Sequence, residues 1–403
     1  ASGTAGGISI QPNGAGNTGV TVIPTNDSTA AFKIQNASSV NLFNADTTNM
    51  TVTINTAPPA PKLGSGTAYP TTGLGVAVTS ADFNGDGYAD LATLDYFNSK
   101  VTILMNNGNG TFAAGVDYTT GSTPYGVAAG DFNGDGRPDL ATSNSGASTV
   151  SVLLNNSNGT FGTKQDFATT AAGWTGITVA DFSGDGRADI AVGTNTTTMS
   201  VFTNNGFGTS FTRADYTVGG TAYGIAAADF NSDGRLDIAT ANNSTNNMSY
   251  LINSGSGAFG AATTIAASTG PYAVTAADFS GDGKADIAVA NSNGGNVSVY
   301  INNGSGTMAA ALNYTACSFA QGITSADFNG DGVIDVATSC NGGSVAVLVN
   351  NGSGTFATAV TYAAGSSPWG VTSADFNGDK KTDLAVANFF GTSISVYNSN
   401  ESS

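Results

Sequence analysis

One phrase, D-F-[N/S]-x-D-[G/K]-x-x-D-[L/I/V]-A, recurs seven times along the chain. It reads DFNGDGYADLA from 82, DFNGDGRPDLA from 131, DFSGDGRADIA from 181 and DFNSDGRLDIA from 229. It continues as DFSGDGKADIA from 278, DFNGDGVIDVA from 327 and DFNGDKKTDLA from 375. The spacings are 49, 50, 48, 49, 49 and 48 residues. A period near 50 residues means a propeller or a solenoid, because each unit is too small to bury its own apolar face and must stack on its neighbours.

Each unit carries four β-type segments separated by turn residues. In the second they are Gly126–Phe132, Asp139–Ser143, Thr149–Asn155 and Phe161–Thr169. No segment has an apolar period of 3.6, so almost no helix is expected. Four antiparallel strands per repeat make one propeller blade. The seventh unit runs out after a third strand at Ser393–Tyr397, and an orphan fourth-strand segment lies at Pro61–Tyr69. The fold read from the sequence is therefore all-β: a seven-bladed β-propeller over 61–398, closed by that N-terminal strand and leaving no long free edge. Residues 399–403 form a tail, and 57–62 form a Pro-rich linker that includes PPAPK.

Residues 1–56 lack the repeat. Short β-type runs at Ile8–Gln11, Val20–Pro24, Ala31–Gln35, Val40–Phe43 and Met50–Asn55 mark a small β-rich module. A module of this size is marginal alone and gains stability by pairing. It is read as the part that mediates self-assembly, its Gly-rich start docking as an added strand on a neighbouring subunit or on its own module. The stretch STAAFKIQNASSVNLFNADTTN resembles small β-modules that head some bacterial surface and fibre-like proteins. The opening ASGTAGG has neither Met nor an apolar leader, and reads as a start left by signal-peptide removal or as a trimmed one.

The repeated phrase is rich in oxygen donors. Side chains at its positions 1, 3, 5 and 9 and the carbonyl at 7 suit one hard cation, Ca²⁺, which takes 6–8 oxygens. Position 1 is Asp82, Asp131, Asp181, Asp229, Asp278, Asp327 and Asp375. Position 3 is Asn84, Asn133, Ser183, Asn231, Ser280, Asn329 and Asn377. Position 5 is Asp86, Asp135, Asp185, Asp233, Asp282, Asp331 and Asp379. Position 7 is Tyr88, Arg137, Arg187, Arg235, Lys284, Val333 and Lys381. Position 9 is Asp90, Asp139, Asp189, Asp237, Asp286, Asp335 and Asp383. Position 12 is not Glu (it is Thr93 in the first unit) and the flanks are strands, so the loop is not an EF-hand. These loops hold 21 of the 28 acidic residues, and seven Ca²⁺ would bring the net charge from −17 to −3. The other reading is an Asx-type turn that needs no ion, for which one Asp per turn would suffice. In the seventh loop Lys380 replaces Gly and Lys381 follows, so this site is expected to be the weakest or empty.

These residues resemble the FG-GAP/VCBS repeat family, the propeller of integrin α-subunit heads and of many bacterial surface proteins. The resemblance covers about 61–398. It implies a calcium-stabilised extracellular propeller used for adhesion, ligand display or lectin-like binding, without fixing the ligand.

Strand alternation places all seven loops on one face. The opposite face carries the second-to-third and fourth-to-first connections, in which Cys317 and Cys340 both fall, in the sixth blade. A disulfide is expected there, suiting an oxidising, extracellular or cell-surface location; two separate buried thiols are the alternative. On the same face Tyr125, Trp174, Tyr223, Tyr272 and Trp369 precede their loops by six or seven residues and are expected to ring the mouth of the central channel. Asn144, Asn195, Asn242, Asn291 and Asn388 lie in nearby connections. Aromatic faces with amides suit a glycan; packing between blades is the competing reading. Phe83, Phe132, Phe182, Phe230, Phe279, Phe328 and Phe376 are expected to pack blades together. Sequons such as Asn109, Asn195, Asn296, Asn313 and Asn351 admit glycosylation, as do Asn26, Asn36 and Asn49.

The net charge of −17 argues against nucleic acid, and no apolar run is long enough for a membrane span. Histidine is absent and Glu401 is the one glutamate. Histidine-based triads and paired-glutamate hydrolysis are thereby removed, which argues against an enzyme. Two functions remain: a structural or adhesive protein of a cell surface or surface filament, and a glycan-binding adhesin using the aromatic face.

Overall fold

A computed structural model describes the backbone of residues 32–35, 41–46 and 51–54, and residues 58–171 and 173–399. The chain divides into two compact units, Ala1–Ala57 and Pro58–Ser403. In the first, strands Phe32–Gln35, Asn41–Asp46 and Thr51–Ile54 form an antiparallel three-stranded meander. The expected runs at 8–11 and 20–24, the Gly-rich start, Asn26, Asn36, Asn49 and the tail beyond 399 lie outside the described residues.

The second unit contains seven four-stranded antiparallel sheets, six of them ordered by sequence from the inner to the outer strand and the seventh taking its outer strand from before the first blade. Blade 2 shows the pattern: Pro124–Gly130, Asp139–Asn144, Thr149–Leu153 and Gln165–Ala168. The inner strands contact one another in a closed cycle, blade 7 returning to blade 1. Among the described residues the single helical element is one 3₁₀ turn, Asn243–Thr245. The second strands are buried from end to end, as Asp90–Asp95 and Asp139–Asn144 illustrate. A strand covered on both faces by neighbouring blades carries continuous small and apolar side chains, which is why LAT, IAV and VAT follow the ninth loop position.

Inner strands approach closely because several carry Gly just after the channel-mouth aromatic. A Cβ on Gly224 would lie 2.6 Å from Ala273 Cα, and one on Gly370 2.7 Å from Ala77 Cα. Any larger residue there would push two blades apart.

Closure follows the expected route with a shifted boundary. Thr67–Pro70, rather than Pro61–Tyr69, is the outer strand of blade 7 and pairs with Ser393–Tyr397, Pro70 facing Ser393. Residues 61–64 do a second job. Leu63 bridges Ser399, Gly64 N–H donates to the Asn398 carbonyl at 2.8 Å, and Tyr362 Oη donates to the Pro61 carbonyl. Leu63 is buried in one cluster with Phe328. At six other joints that place is taken by Phe112, Phe161, Phe211, Phe259, Met308 or Phe356, each set against the loop Phe of the preceding blade. The fourth-strand segments were read too long for the same reason: Phe161 makes an isolated bridge to Asn155 and turns inward on Phe83 instead of extending the strand.

Candidate functional site

The seven loops connect inner to second strands and therefore share one face. Their geometry is repeated. Asp82 Oδ1 accepts from the N–H groups of Gly85 and Asp86 at 2.6 and 3.1 Å, and its Oδ2 accepts from Gly87 at 2.9 Å. Asn84 Oδ1 accepts from Asp86 N–H at 2.8 Å, and Asp86 Oδ1 from Tyr88 N–H at 2.9 Å. Asp90 is fully buried, with Oδ2 on Phe83 N–H at 2.9 Å and Oδ1 on Asn106 N–H at 2.7 Å. The same bonds recur around Asp131–Asp139 and Asp327–Asp335. All three carboxylates of the loop accept backbone N–H groups, so the turn engages three Asp side chains and not one.

Position 9 is electrostatically burdened. Burial pushes Asp90 up to about 6, with the Asp86 and Asp82 charges adding and its two backbone bonds opposing. Asp139 and Asp383 also reach about 6 and Asp335 about 7, for the same causes. Asp189, Asp237 and Asp286 shift upward too, chiefly by burial. In kind, these carboxylates, the amide or hydroxyl at position 3 and the carbonyl at 7 are the oxygens a hard divalent cation takes, and a cation would relieve the crowded charge. Among the described residues no three acidic, Cys or His side chains already gather tightly enough to make a formed metal cluster.

The basic residues of the loops are not confined to the seventh. Arg187, Arg235 and Lys284 fold back from position 7 onto the position 5 carboxylates of Asp185, Asp233 and Asp282 at 3.3, 3.0 and 3.5 Å. What sets the seventh loop apart is Lys380, held at φ +65° where Gly87 and Gly136 have +90° and +80°. Its N–H still reaches Asp375 Oδ2 at 2.7 Å, so the turn closes under strain rather than opening.

One recurrent contact was missed by the sequence reading. Asn155 Nδ2 donates to the Phe83 carbonyl of blade 1 at 2.8 Å and to Pro138 O at 3.0 Å. Asn106, Asn204, Asn253, Asn302 and Asn350 do the same to Phe376, Phe132, Phe182, Phe230 and Phe279. Each staples its blade to the preceding one. The signal was present as an Asn 15 or 16 residues after loop position 9. At the remaining joint the corresponding residue is Ser399, whose N–H reaches Asp383 at 2.6 Å.

Cys317 and Cys340 form a disulfide, with Cα atoms 5.9 Å apart. The inner strands begin on this opposite face, and their aromatic residues meet there. The hydroxyls of Tyr125 and Tyr272 bond each other. Tyr125 lies parallel to Trp174 at 6.3 Å and edge-on to Trp369 at 6.3 Å, and Tyr223 meets Tyr272 edge-on at 5.4 Å. Trp369 stacks on Phe389 at 4.4 Å, and Trp174 Nε1–H donates to Tyr96 Oη at 3.0 Å. The five aromatics predicted to share the mouth are thus brought together, with Tyr125 buried and Trp174 50% exposed. Phe97, Phe319 and Phe390 are further exposed aromatics in connections of this face. The amides are a different matter. Asn144, Asn242, Asn291 and Asn388 are buried; Asn144 Nδ2, for example, bonds Ser151 Oγ at 2.8 Å. Their amide N–H groups bond within their own hairpins, while Asn291 Oδ1 is buried without a partner; Asn195 is exposed. The seven loop Phe residues are buried between blades, as expected.

A model of the FG-GAP-like repeat matches residues 82–142, 140–192, 184–240, 229–289, 280–338 and 327–386. The chain belongs to the FG-GAP repeat family. Among curated proteins none matches the sequence. Solved structures similar to this FG-GAP chain include BBS1N in complex with ARL6DN, 14% identical over 86% of this chain and 99% of that one, with a TM-score of 0.60. Another is a lectin of Agrocybe aegerita that recognises non-reducing terminal N-acetylglucosamine, 22% identical over 79% and 86%, TM-score 0.52. A third is a protein of unknown function from Desulfotomaculum acetoxidans, 14% identical over 78% and 89%, TM-score 0.54. At these identities the likeness concerns the fold. Among the described residues of the FG-GAP chain no helix is long and apolar enough to cross a membrane.

Proposed function

We propose that this is an extracellular, calcium-stabilised FG-GAP propeller of a cell surface or surface filament, structural and adhesive, whose N-terminal module joins subunits. The observation that carries the reading is the alignment of seven Asp loops on one face, which use 21 of 28 acidic residues. Residues at positions 1, 3, 5, 7 and 9 would hold one Ca²⁺ each, and the ion would supply charge neutralisation around the buried position 9 carboxylate. The disulfide fits an oxidising compartment. Calorimetry of the purified protein with and without a chelator tests the metal: melting should fall on chelation, and an unchanged midpoint overturns a structural role. Electron microscopy tests assembly, and strict monomers at all concentrations overturn it.

A second reading, glycan binding on the opposite face, is favoured by the aromatic cluster at the channel mouth. A lectin of similar fold is known to recognise a sugar terminus. Binding rather than catalysis is supported by the lack of His and the placement of the lone glutamate at 401. A glycan array that returns no ligand counts against this reading.

A further inference from the structure

Part of the molecule's unmet hydrogen-bonding capacity lies on the propeller axis, away from the Asp loops. A cavity of about 170 Å³ lies on the propeller axis, walled by inner strands of all seven blades. No ionisable side chain other than three tyrosines lines it. Two buried polar atoms of its wall have no partner within the protein: Trp369 Nε1, a donor, and Gln321 Oε1, an acceptor. Gln321 is only 6% exposed. The two residues stand at equivalent places on adjacent blades, Pro368–Ala374 and Ala320–Ala326, where blades 2, 4 and 5 have tyrosine. Each unmet buried group costs on the order of 1–3 kcal/mol. At the lip, Trp174 leaves half its surface exposed while lying parallel to Tyr125.

We propose that the channel mouth is a binding site for a single neutral sugar ring, one of whose hydroxyls accepts from Trp369 Nε1–H while a hydroxyl donates to Gln321 Oε1. This deepens the glycan-binding reading and rests on it. The class follows from the wall. The lack of charged side chains selects an uncharged ligand. A donor beside an acceptor suits hydroxyls, which serve both. The exposed flat face of Trp174, backed by the parallel ring of Tyr125, suits the apolar C–H face of a pyranose. The small volume admits one ring and not a chain.

The experiment is saturation-transfer NMR and titration of the whole chain with methyl glycosides of neutral hexoses and N-acetylhexosamines. Wild type, Trp369→Phe and Gln321→Met are compared, each checked by its melting midpoint. The Phe variant removes the N–H and keeps an aromatic ring; the Met variant removes the amide at similar volume. The expected result is that one glycoside binds wild type and that each variant weakens it by about tenfold, the loss of one well-placed hydrogen bond. A glycoside bound equally by wild type and both variants leaves the glycan reading standing and overturns the channel-mouth site. No binding by any glycoside overturns both and leaves the cavity to water. Should a variant fail to fold, ¹⁵N-indole spectra of wild type decide: a Trp369 Nε1–H resonance unmoved at saturating glycoside overturns the site.

Discussion

Asn155 is a small residue with a long reach: its side-chain amide donates to carbonyls on two blades while its backbone N–H donates to Asp139 Oδ1. Replacing it with Ala leaves the buried Phe83 and Pro138 carbonyls unpaired. Asn155→Ala should lower unfolding stability by roughly 2 kcal/mol in urea denaturation, with the fold retained. Lys380 is the opposite kind of residue, one that fits its place poorly. Lys380→Gly removes a positive-φ side chain and should raise stability by about 1 kcal/mol, read as an upward shift in melting. Lys380 was legible in the sequence because it breaks a seven-fold pattern. Asn155 was not, because a sequence this rich in Asn hides a periodic one, and only the fold shows that its partner lies 72 residues away.

At the scale of the loop and the blade, the strands and their order were legible because turn residues punctuate each repeat. The outer strand was misjudged where Phe161 satisfies the β pattern yet packs sideways on the preceding blade. The burial of Asn144 was hidden likewise, since hairpin amides look the same whether they face solvent or a serine. The loops make a pH prediction for protein stripped of metal. The position 9 pKa values of about 6 for Asp90, Asp139 and Asp383 and about 7 for Asp335 lie above the ~3.9 of an unfolded Asp. The folded state therefore holds those protons more tightly. The resulting stability is fully present below about pH 4 and is lost as pH rises through 6 to 7. In chelator, the melting midpoint should fall over that window; with Ca²⁺ present the slope should flatten. A midpoint independent of pH in chelator contradicts this. The disulfide of blade 6 joins residues 23 apart, and Cys340→Ser should cost about 3 kcal/mol, measured against the oxidised protein.

At the scale of the molecule, the ring was legible from the repeat count and from one missing strand, and the aromatic ring at the mouth from the residue six or seven places before five of the loops, whereas the individual ring contacts became visible only once seven blades stood around an axis. Removing residues 58–70 takes away both Leu63 and the outer strand of blade 7. That truncation should broaden thermal unfolding and lower its midpoint, because the Ser393–Tyr397 edge and Phe328 are then bared together. The pairing of Pro70 with Ser393 also sets a timetable. The strand at Thr67–Pro70 leaves the ribosome more than 300 residues before its partner does. At roughly 5–20 residues per second it waits on the order of 15–65 s without a mate. Through that interval the nascent chain carries an unsatisfied edge, and the circle is sealed only once Ser393–Tyr397 has emerged. Early blades can gather by nearest-neighbour docking as they emerge. The last joint instead depends on Thr67–Pro70 having stayed unclaimed, a demand that favours a short outer strand over a sticky one.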